Sequence, residues 1–281
     1  MTGTLYVVAT PIGNLADASA RAIEVLRAAD VIACEDTRTS RTLLARQGIA
    51  TRTFALHEHN ERSAGARLIA ELRAGKAVAL ITDAGTPALS DPGALLVEAA
   101  HREGIRVVPI PGPSAALAAF SASGFASARL LFVGFLPAAR AARRKALEAI
   151  DERGAVIFYE APHRVAETVA DLAERFGAER EIVIARELTK LFEEIARLKL
   201  GQAPAWLEAG PHRQQGEFVL VLGPEQEARD RDLAAGRRVL ALLLEVLPAS
   251  EAARLAARIS GAPRRELYRV ALERKPGQHS R

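Results

Sequence analysis

Short apolar runs alternate with amphipathic stretches along most of the chain. Leu5–Ala9 has the unbroken apolar character of a covered strand, and from Asp17 the spacing turns helical, with Ile23, Val25 and Leu26 facing inward. The same alternation predicts strands at 31–34, 52–56, 77–82 and 106–110. It predicts helices at 39–47, 63–74 and 93–103, each stopped by a glycine: Gly48, Gly75 and Gly104. Apolar strands alternating with helices imply a mainly parallel sheet covered on both faces. After a helix at 114–123, a second series predicts strands at 130–134, 155–159, 181–186, 195–199 and 218–222, with helices at 138–150 and 165–176. Strands adjacent in sequence near its end imply a mixed sheet. Residues 223–238 are polar and read as a linker, and the rest is helical over 237–246, 250–259 and 263–273. Ser250 suits an N-cap and Pro263 a first turn, and the last two helices have helix-turn-helix spacing around Ser260–Gly261–Ala262. The fold class is α/β: two α/β domains, 1–112 and 113–224, plus a small C-terminal helical extension over 225–281.

Composition narrows the class. Of 281 residues, 49% are hydrophobic and 26% charged, too apolar for a disordered chain and too charged for a membrane protein. No apolar run approaches the roughly 20 residues of a membrane-spanning helix. The start, MTGTLYVVAT, shows no signal-peptide pattern. The single cysteine, Cys34, excludes an internal disulfide and a multi-cysteine metal site. A soluble cytoplasmic protein is expected. The net charge of +4 sits at one end: residues 225–281 carry 12 basic and 8 acidic side chains, residues 1–224 carry 26 of each. Only 5 of the 38 basic residues are Lys. The Arg fork suits phosphate, although solvated helical faces account for the same residues.

Ligands of open α/β sheets bind at the carboxyl ends of strands. Three loops there stand out: TPIGNL from Thr10, TDAGTPALSDPG from Thr82 and PIPGPSA from Pro109. Ordinary turn chemistry accounts for any one of them; three at corresponding strand ends point to a shared site. Gly85 and Gly112 permit close backbone approach, and Ser114 can cap the helix that follows. No two of the 20 glycines are spaced G-x-G, so the dinucleotide fingerprint is absent, as is the P-loop. His57 and His59 lack a third placed ligand, and no metal is expected. Glu35 and Asp36 beside Arg38 fit an acidic helix cap.

The motifs TPIGNLAD, CEDTRTS, FALHEHNE, TDAGTPALSDPG, PIPGPSAAL, GFLP, FYEAPHR and ARELTK, in this order, resemble one family over about residues 4–222. It is the ribosomal RNA small subunit methyltransferase I family, 16S rRNA cytidine 2′-O-methyltransferases within the tetrapyrrole-methylase-like superfamily. The helical tail resembles that family's helix-turn-helix extension less specifically. The resemblance implies S-adenosyl-L-methionine bound in a cleft between two domains of tetrapyrrole-methylase type, a homodimer, and 16S rRNA in the small ribosomal subunit as substrate.

It also implies site residues. Cofactor contacts fall on Pro11, on Ala84, Gly85, Thr86 and Leu89, on Ser114 and Ala115, and near Glu160 and Leu188. The superfamily's aspartate in the second loop is Thr86 here, and its usual G-x-G-P-G-D is Ala9-Thr10-Pro11-Ile12-Gly13-Asn14, a departure that argues against a porphyrin substrate. A ribose hydroxyl needs a base or a nearby cation. Glu187 and Lys190 are the first candidates, with Asp36 orienting the ribose and Glu35, Asp91, Glu160 and His163 behind them. Domain-interface salt bridges account for the same residues. Candidates for gripping RNA are Arg38, Arg41, Arg140, Arg143, Arg144, Lys145, Arg164 and Arg186, with Arg254, Arg258, Arg264, Arg265, Arg269 and Arg274 in the tail. The alternatives are a tetrapyrrole or diphthine methyltransferase and a non-catalytic RNA-binding protein.

Overall fold

The structure is a computed structural model that describes residues 2–150 and 153–273. Its first sheet has the order β3-β2-β4-β1-β5 and is parallel throughout. The strands are β1 (Thr4–Val8), β2 (Val31–Cys34), β3 (Thr53–Ala55), β4 (Val78–Leu80) and β5 (Arg106–Ile110). Between them run α1 (Ala20–Ala28), α2 (Thr37–Arg46), α3 (Glu61–Arg73) and α4 (Ala94–Arg102). One sheet face packs Leu5, Leu80, Leu68, Leu72 and Leu96 under α3 and α4, and the other packs Val8, Ile32, Leu26 and Leu44 under α1 and α2. Both faces are covered, which is why these strands read as apolar runs without alternation.

The second sheet has the order β6-β7-β10-β8-β9 and is mixed. Only β6 (Leu130–Phe135) and β7 (Ala155–Glu160) run parallel; β10 (Phe218–Leu222) is antiparallel to β7 and to β8 (Glu181–Arg186), and β8 to β9 (Glu194–Lys199). On one face lie α6 (Arg140–Glu148), α7 (Val165–Phe176) and the short α8 (Ala203–Glu208), which the sequence pattern does not announce. On the other lies α5 (Ala115–Ala122), where Ile12 from the β1 loop joins Ile157, Val183 and Val219 in one apolar cluster. The two sheets therefore share buried surface at their strand ends.

The expected linker is mostly helix. α9 spans Gln226–Leu243, taking in most of residues 223–238. Its Ala, Glu, Arg and Leu content favours helix despite its polarity. It is also anchored from behind: a Cβ on Gly236 would lie 2.8 Å from Ser260 Oγ and 2.9 Å from the Ala262 side chain. α10 (Ala249–Ser260) and α11 (Arg264–Glu273) complete a three-helix unit around Leu240, Ala253, Ala256 and Leu267. Gly261, at φ 79°, makes the left-handed cap between them. No helix among the described residues is long and apolar enough to cross a membrane.

Candidate active site

The loops that follow β1, β4 and β5 are stitched together. Thr10 and Gly85 exchange backbone hydrogen bonds of 2.8 and 3.1 Å, and the Thr86 hydroxyl donates to the Pro113 carbonyl at 3.0 Å. Against them stand the ends of β7, β8 and β10. Between the two groups lies a cavity of about 370 Å³, within the size of small-molecule sites. Its first wall comprises Ile12, Thr82–Thr86, Leu89–Asp91, Ser114 and Ala115. Phe135, Tyr159–Pro162, Leu188 and Glu217–Val219 form the second. Two loops reach it in the same strained way. Ala88 and Ser90 at φ 64° and 69° flank Leu89, and Glu187 and Thr189 at φ 53° and 65° flank Leu188. Left-handed non-glycine residues cost about 1–3 kcal/mol each and gather at ligand sites.

Of the residues expected to hold the cofactor, Ala84, Gly85, Thr86, Leu89, Ser114, Ala115, Glu160 and Leu188 line this cavity. Pro11 does not: it faces a small crevice toward Leu43 and Leu44, and its neighbour Ile12 takes the wall position. Ser114 stands at the N-cap of α5 but its side chain does not cap the helix. Its Oγ is buried without a well-formed hydrogen bond, beside the Tyr159 hydroxyl, which accepts from the Ala116 amide at 3.3 Å. Glu160 is buried, accepting from the Thr168 hydroxyl at 2.6 Å and from the Ala161 amide at 2.8 Å.

None of Glu187, Lys190 and Asp36 lines the cavity. The Glu187 carboxylate accepts from Lys190 Nζ at 2.8 Å and from the Glu217 amide at 2.9 Å. Burial pushes this carboxyl up, but Lys190 and the amide outweigh it and hold the group below the usual carboxylate range. Lys190 also bonds Glu217 at 3.0 Å, and a Cβ on Gly13 would lie 2.5 Å from its Cγ. Glu187 and Lys190 thus pin the β8 loop, with Leu188 at its tip, against the β1 loop. Asp36 is the N-cap of α2, accepting from the Arg38 amide at 2.7 Å; it matches the expectation of an acidic cap.

The carboxylates without a cation lie elsewhere. Glu35, Asp83 and Asp91 surround Thr82 at the ends of β2 and β4. The Thr82 hydroxyl donates to Glu35 at 3.3 Å and faces Asp91, while Asp83 accepts from the Asp36 amide at 3.2 Å. None of the three makes an ion pair with Lys or Arg among the described residues. Burial, and then the repulsion of Asp91 and Asp83, push Glu35 up despite Thr82 and nearby His57. Burial likewise raises Asp91, with Asp83 adding to it, and raises Asp83. Asp83 and Asp91 belong to the cavity wall. That wall carries four carboxylates, Asp83, Asp91, Glu160 and Glu217, and no Lys, Arg or His. Asp83, Tyr159, Phe135 and Glu217 were not singled out from the sequence. The one signal for Asp83 was its place directly after β4.

The RNA-gripping candidates separate sharply. Arg143 is wholly buried, bonding Asp171 at 2.7 Å, Glu167 at 3.1 Å and the Ala138 carbonyl at 3.2 Å, which removes it from any phosphate-binding surface. Arg186 is removed likewise: 4% exposed, it donates to the Gln215 and Phe192 carbonyls. Arg164 spans Glu160 and the Leu136 carbonyl as an internal strut. Arg144 is half exposed and paired with Glu174, and Arg140 reaches Asp171. Arg38, Lys145, Arg264 and Arg265 stay exposed. Arg274 lies outside the described residues. Among those residues no group of His, Cys, Asp and Glu is arranged to hold a metal.

Comparison with known proteins adds to this geometry. Residues 4–204 match the family model of Tetrapyrrole (Corrin/Porphyrin) Methylases, and residues 230–275 match the RsmI C-terminal HTH domain. The chain is similar to proteins named ribosomal RNA small subunit methyltransferase I. It is 50% identical to that of Pseudomonas aeruginosa over 97% of this chain and 98% of the relative. It is 52% identical to that of Mesorhizobium japonicum over 96% and 92%. Among solved structures, uroporphyrin-III-C-methyltransferase from Thermus thermophilus superposes with a TM-score of 0.57 at 21% identity, over 79% of this chain and 94% of that one. A diphthine synthase gives 0.58 at 16% identity, over 79% and 90%. At these identities the structures speak to the fold alone.

Proposed function

Because the chain belongs to the ribosomal RNA small subunit methyltransferase I family of tetrapyrrole methylases, we propose that it transfers a methyl group from S-adenosyl-L-methionine to a ribose 2′-hydroxyl. The substrate in this reading is a cytidine of 16S rRNA, presented within the small ribosomal subunit in the cytoplasm. The observation that carries it is a cavity wall with no basic side chain and two carboxylates, Asp83 and Asp91, that no Lys or Arg pairs among the described residues; its other two, Glu160 and Glu217, are held by Arg164 and Lys190 from outside the lining. Such a wall suits a sulfonium cation and opposes a polyanion. The residues fit S-adenosylmethionine in other respects too. Ile12, Leu89, Leu188 and Val219 offer apolar cover, and the buried Ser114 Oγ makes no well-formed hydrogen bond of its own. When bound, the cofactor supplies a methyl group already activated by its positive sulfur.

What remains for the protein is alignment and proton removal. The two strained loops set Leu89 and Leu188 at the wall, and Lys190 with Glu187 and Glu217 fixes the second of them. Asp91 is the proton acceptor that the geometry favours. It lines the cavity, carries no cation partner, and is held above the usual carboxylate range by burial and Asp83. A raised carboxyl is better matched to a hydroxyl proton than the ion-paired Glu187. The same acidic wall argues against an anionic porphyrin, the tetrapyrrole alternative. Phosphates of the RNA would be met outside it by Arg38, Lys145 and the tail arginines. Exposed Leu191, Phe192 and Ile195 on the β8–β9 hairpin offer a surface for the homodimer expected from the family.

Mass spectrometry of 16S rRNA fragments from cells with and without the protein tests the reaction. A 2′-O-methylcytidine present only with the protein is expected, and an unchanged signal overturns the reading. Calorimetry with S-adenosylmethionine separates it from a pure RNA-binding module, which would take up none.

A further inference from the structure

The GFLP motif has no part in the chemistry above, yet it places an exposed aromatic ring on the cavity wall. β6 pairs with β7 in register through Phe132 and Ile157, skips Val133, and resumes with Gly134 opposite Phe158 and Phe135 opposite Tyr159. A bulge of one residue turns every later side chain to the opposite face. Phe132 and Phe135, three apart, therefore lie on one face and flank Tyr159. Their rings meet it edge to face, with centroids 5.1 Å and 5.6 Å from it at 72° and 64°. Gly134 permits the bulge at φ 71°, and a Cβ there would lie 2.6 Å from Ser90 Oγ, so the two walls of the cavity meet at this point. Arg164 Nη2 donates to the Leu136 carbonyl at 2.6 Å and fixes the chain just beyond Phe135.

The ring so fixed is not buried. Phe135 is 56% exposed, and Leu89 at 40% is the other large apolar side chain of the cavity wall left open to solvent. A bulge, a left-handed glycine and an arginine strut together hold a largely exposed aromatic ring on the cavity wall, where packing of the core does not require it. Across from it stands Asp91, whose charge acts on the Tyr159 hydroxyl.

We propose that Phe135 is the stacking platform for a nucleobase, that of the target nucleotide turned out of the rRNA so that its ribose reaches the cavity. An exposed, preorganised aromatic beside a cavity too acidic for phosphate matches the way single-stranded bases are held on proteins. The platform rests on the function proposed above, and supplies the substrate grip that the acidic wall lacks.

The test uses the full-length protein, labelled S-adenosylmethionine, and small ribosomal subunits from cells lacking the protein. Phe135→Ala and Phe135→Leu are expected to raise KM for the subunits about ten- to a hundredfold, with the calorimetric Kd for S-adenosylmethionine unchanged. Phe135→Tyr and Phe135→Trp keep KM within a few-fold of wild type. A Leu variant as good as wild type would reduce Phe135 to apolar cover and overturn the platform. So would an Ala variant whose only change is weaker cofactor binding. Wild-type protein that methylates nothing removes the proposed function and the platform with it, whereas active wild type with an indifferent Ala variant removes the platform alone.

Discussion

The two halves of the molecule treat their carboxylates in opposite ways. In the second half the carboxylates withdrawn from solvent have partners: Asp171 of α7 has Arg143 and Arg140, and at the strand ends Glu187 has Lys190 and Glu160 has Thr168 and Arg164. At the strand ends of the first, Glu35 and Asp91 share the Thr82 hydroxyl, Asp83 accepts from the Asp36 amide, and the three repel one another. Partnered carboxylates fix loops and helices in place. Unpartnered ones raise the local proton affinity and leave a field for a cation. A conspicuous Glu-x-x-Lys in the sequence draws attention to the first kind, while the proposed proton transfer rests on the second.

The sharpest way to break this comparison is to exchange the roles. Asp91→Asn is expected to lower kcat by about a hundredfold or more, the scale of a lost general base, while S-adenosylmethionine still binds in calorimetry. Glu187→Gln keeps a hydrogen-bonding side chain in place and is expected to cost no more than about tenfold. If the Glu187 variant is the dead one and the Asp91 variant turns over normally, the assignment of paired and unpaired carboxylates is reversed.

In the second half the effect of removing a partner appears in stability. Arg143→Ala leaves Asp171 and its 0% exposed side chain with only the more exposed Arg140 for company. Breaking a buried pair from one side costs about 3–5 kcal/mol. Urea unfolding should show that loss, with near-normal turnover in whatever fraction stays folded. A loss of RNA affinity without a loss of stability would return Arg143 to the surface role expected from its sequence position.

These outcomes also mark what the sequence could convey. The covered strands were legible because burial on both faces makes them apolar runs, and the loops after β1, β4 and β5 were legible because Gly and Pro announce turns. The polar start of α9 concealed a helix whose anchors lie further along it: Leu233, Val239 and Leu240 in the three-helix core and Gly236 against the α10–α11 turn. Arg143 and Arg144 are neighbours in sequence with opposite fates, because helical rotation points one at Asp171 and the other at solvent. The carboxylate trio was illegible as a unit: Glu35 comes from β2, and Asp83 and Asp91 from the two ends of one loop. Only the sheet order, which sets β2 beside β4, brings them together. Glycine inside the FVGF run was a signal for a bulge that could have been read.

The pH dependence separates the two kinds of site by sign. Glu35, Asp83 and Asp91 titrate higher in the folded chain than in the unfolded one. Between the unfolded and the raised values the folded state holds more protons, so their contribution to stability falls as pH rises through that window. Glu35→Gln should therefore raise the melting temperature at pH 7 and change it little at acid pH. It should also shift the rising limb of the kcat profile to lower pH, by removing a negative charge facing Asp91, with Asp83, Asp36, His57 and Tyr159 left in place. Asp171 runs the other way: despite burial, Arg143 and Arg140 hold it low. Its contribution is present above its unfolded value of 3.8 and is lost as pH falls through the depressed one. A limb that does not move in Glu35→Gln would uncouple the trio.

The smallest expected effect extends the rule from carboxylates to cations. Arg144 is half exposed and already paired with Glu174, whereas Arg264 and Arg265 at the start of α11 are exposed and pair with no acid among the described residues. A phosphate must displace Glu174 to reach Arg144 but finds the tail arginines free. Arg144→Ala should therefore alter stability by no more than about 1 kcal/mol and leave the salt dependence of subunit binding unchanged. The Arg264→Ala, Arg265→Ala double variant should reduce the slope of log K against log salt by about 1 to 2, the share of two phosphate contacts, without changing kcat on bound subunits. A slope that drops for Arg144→Ala and not for the tail variant would place the RNA grip on α6 and leave the basic tail a solvated face.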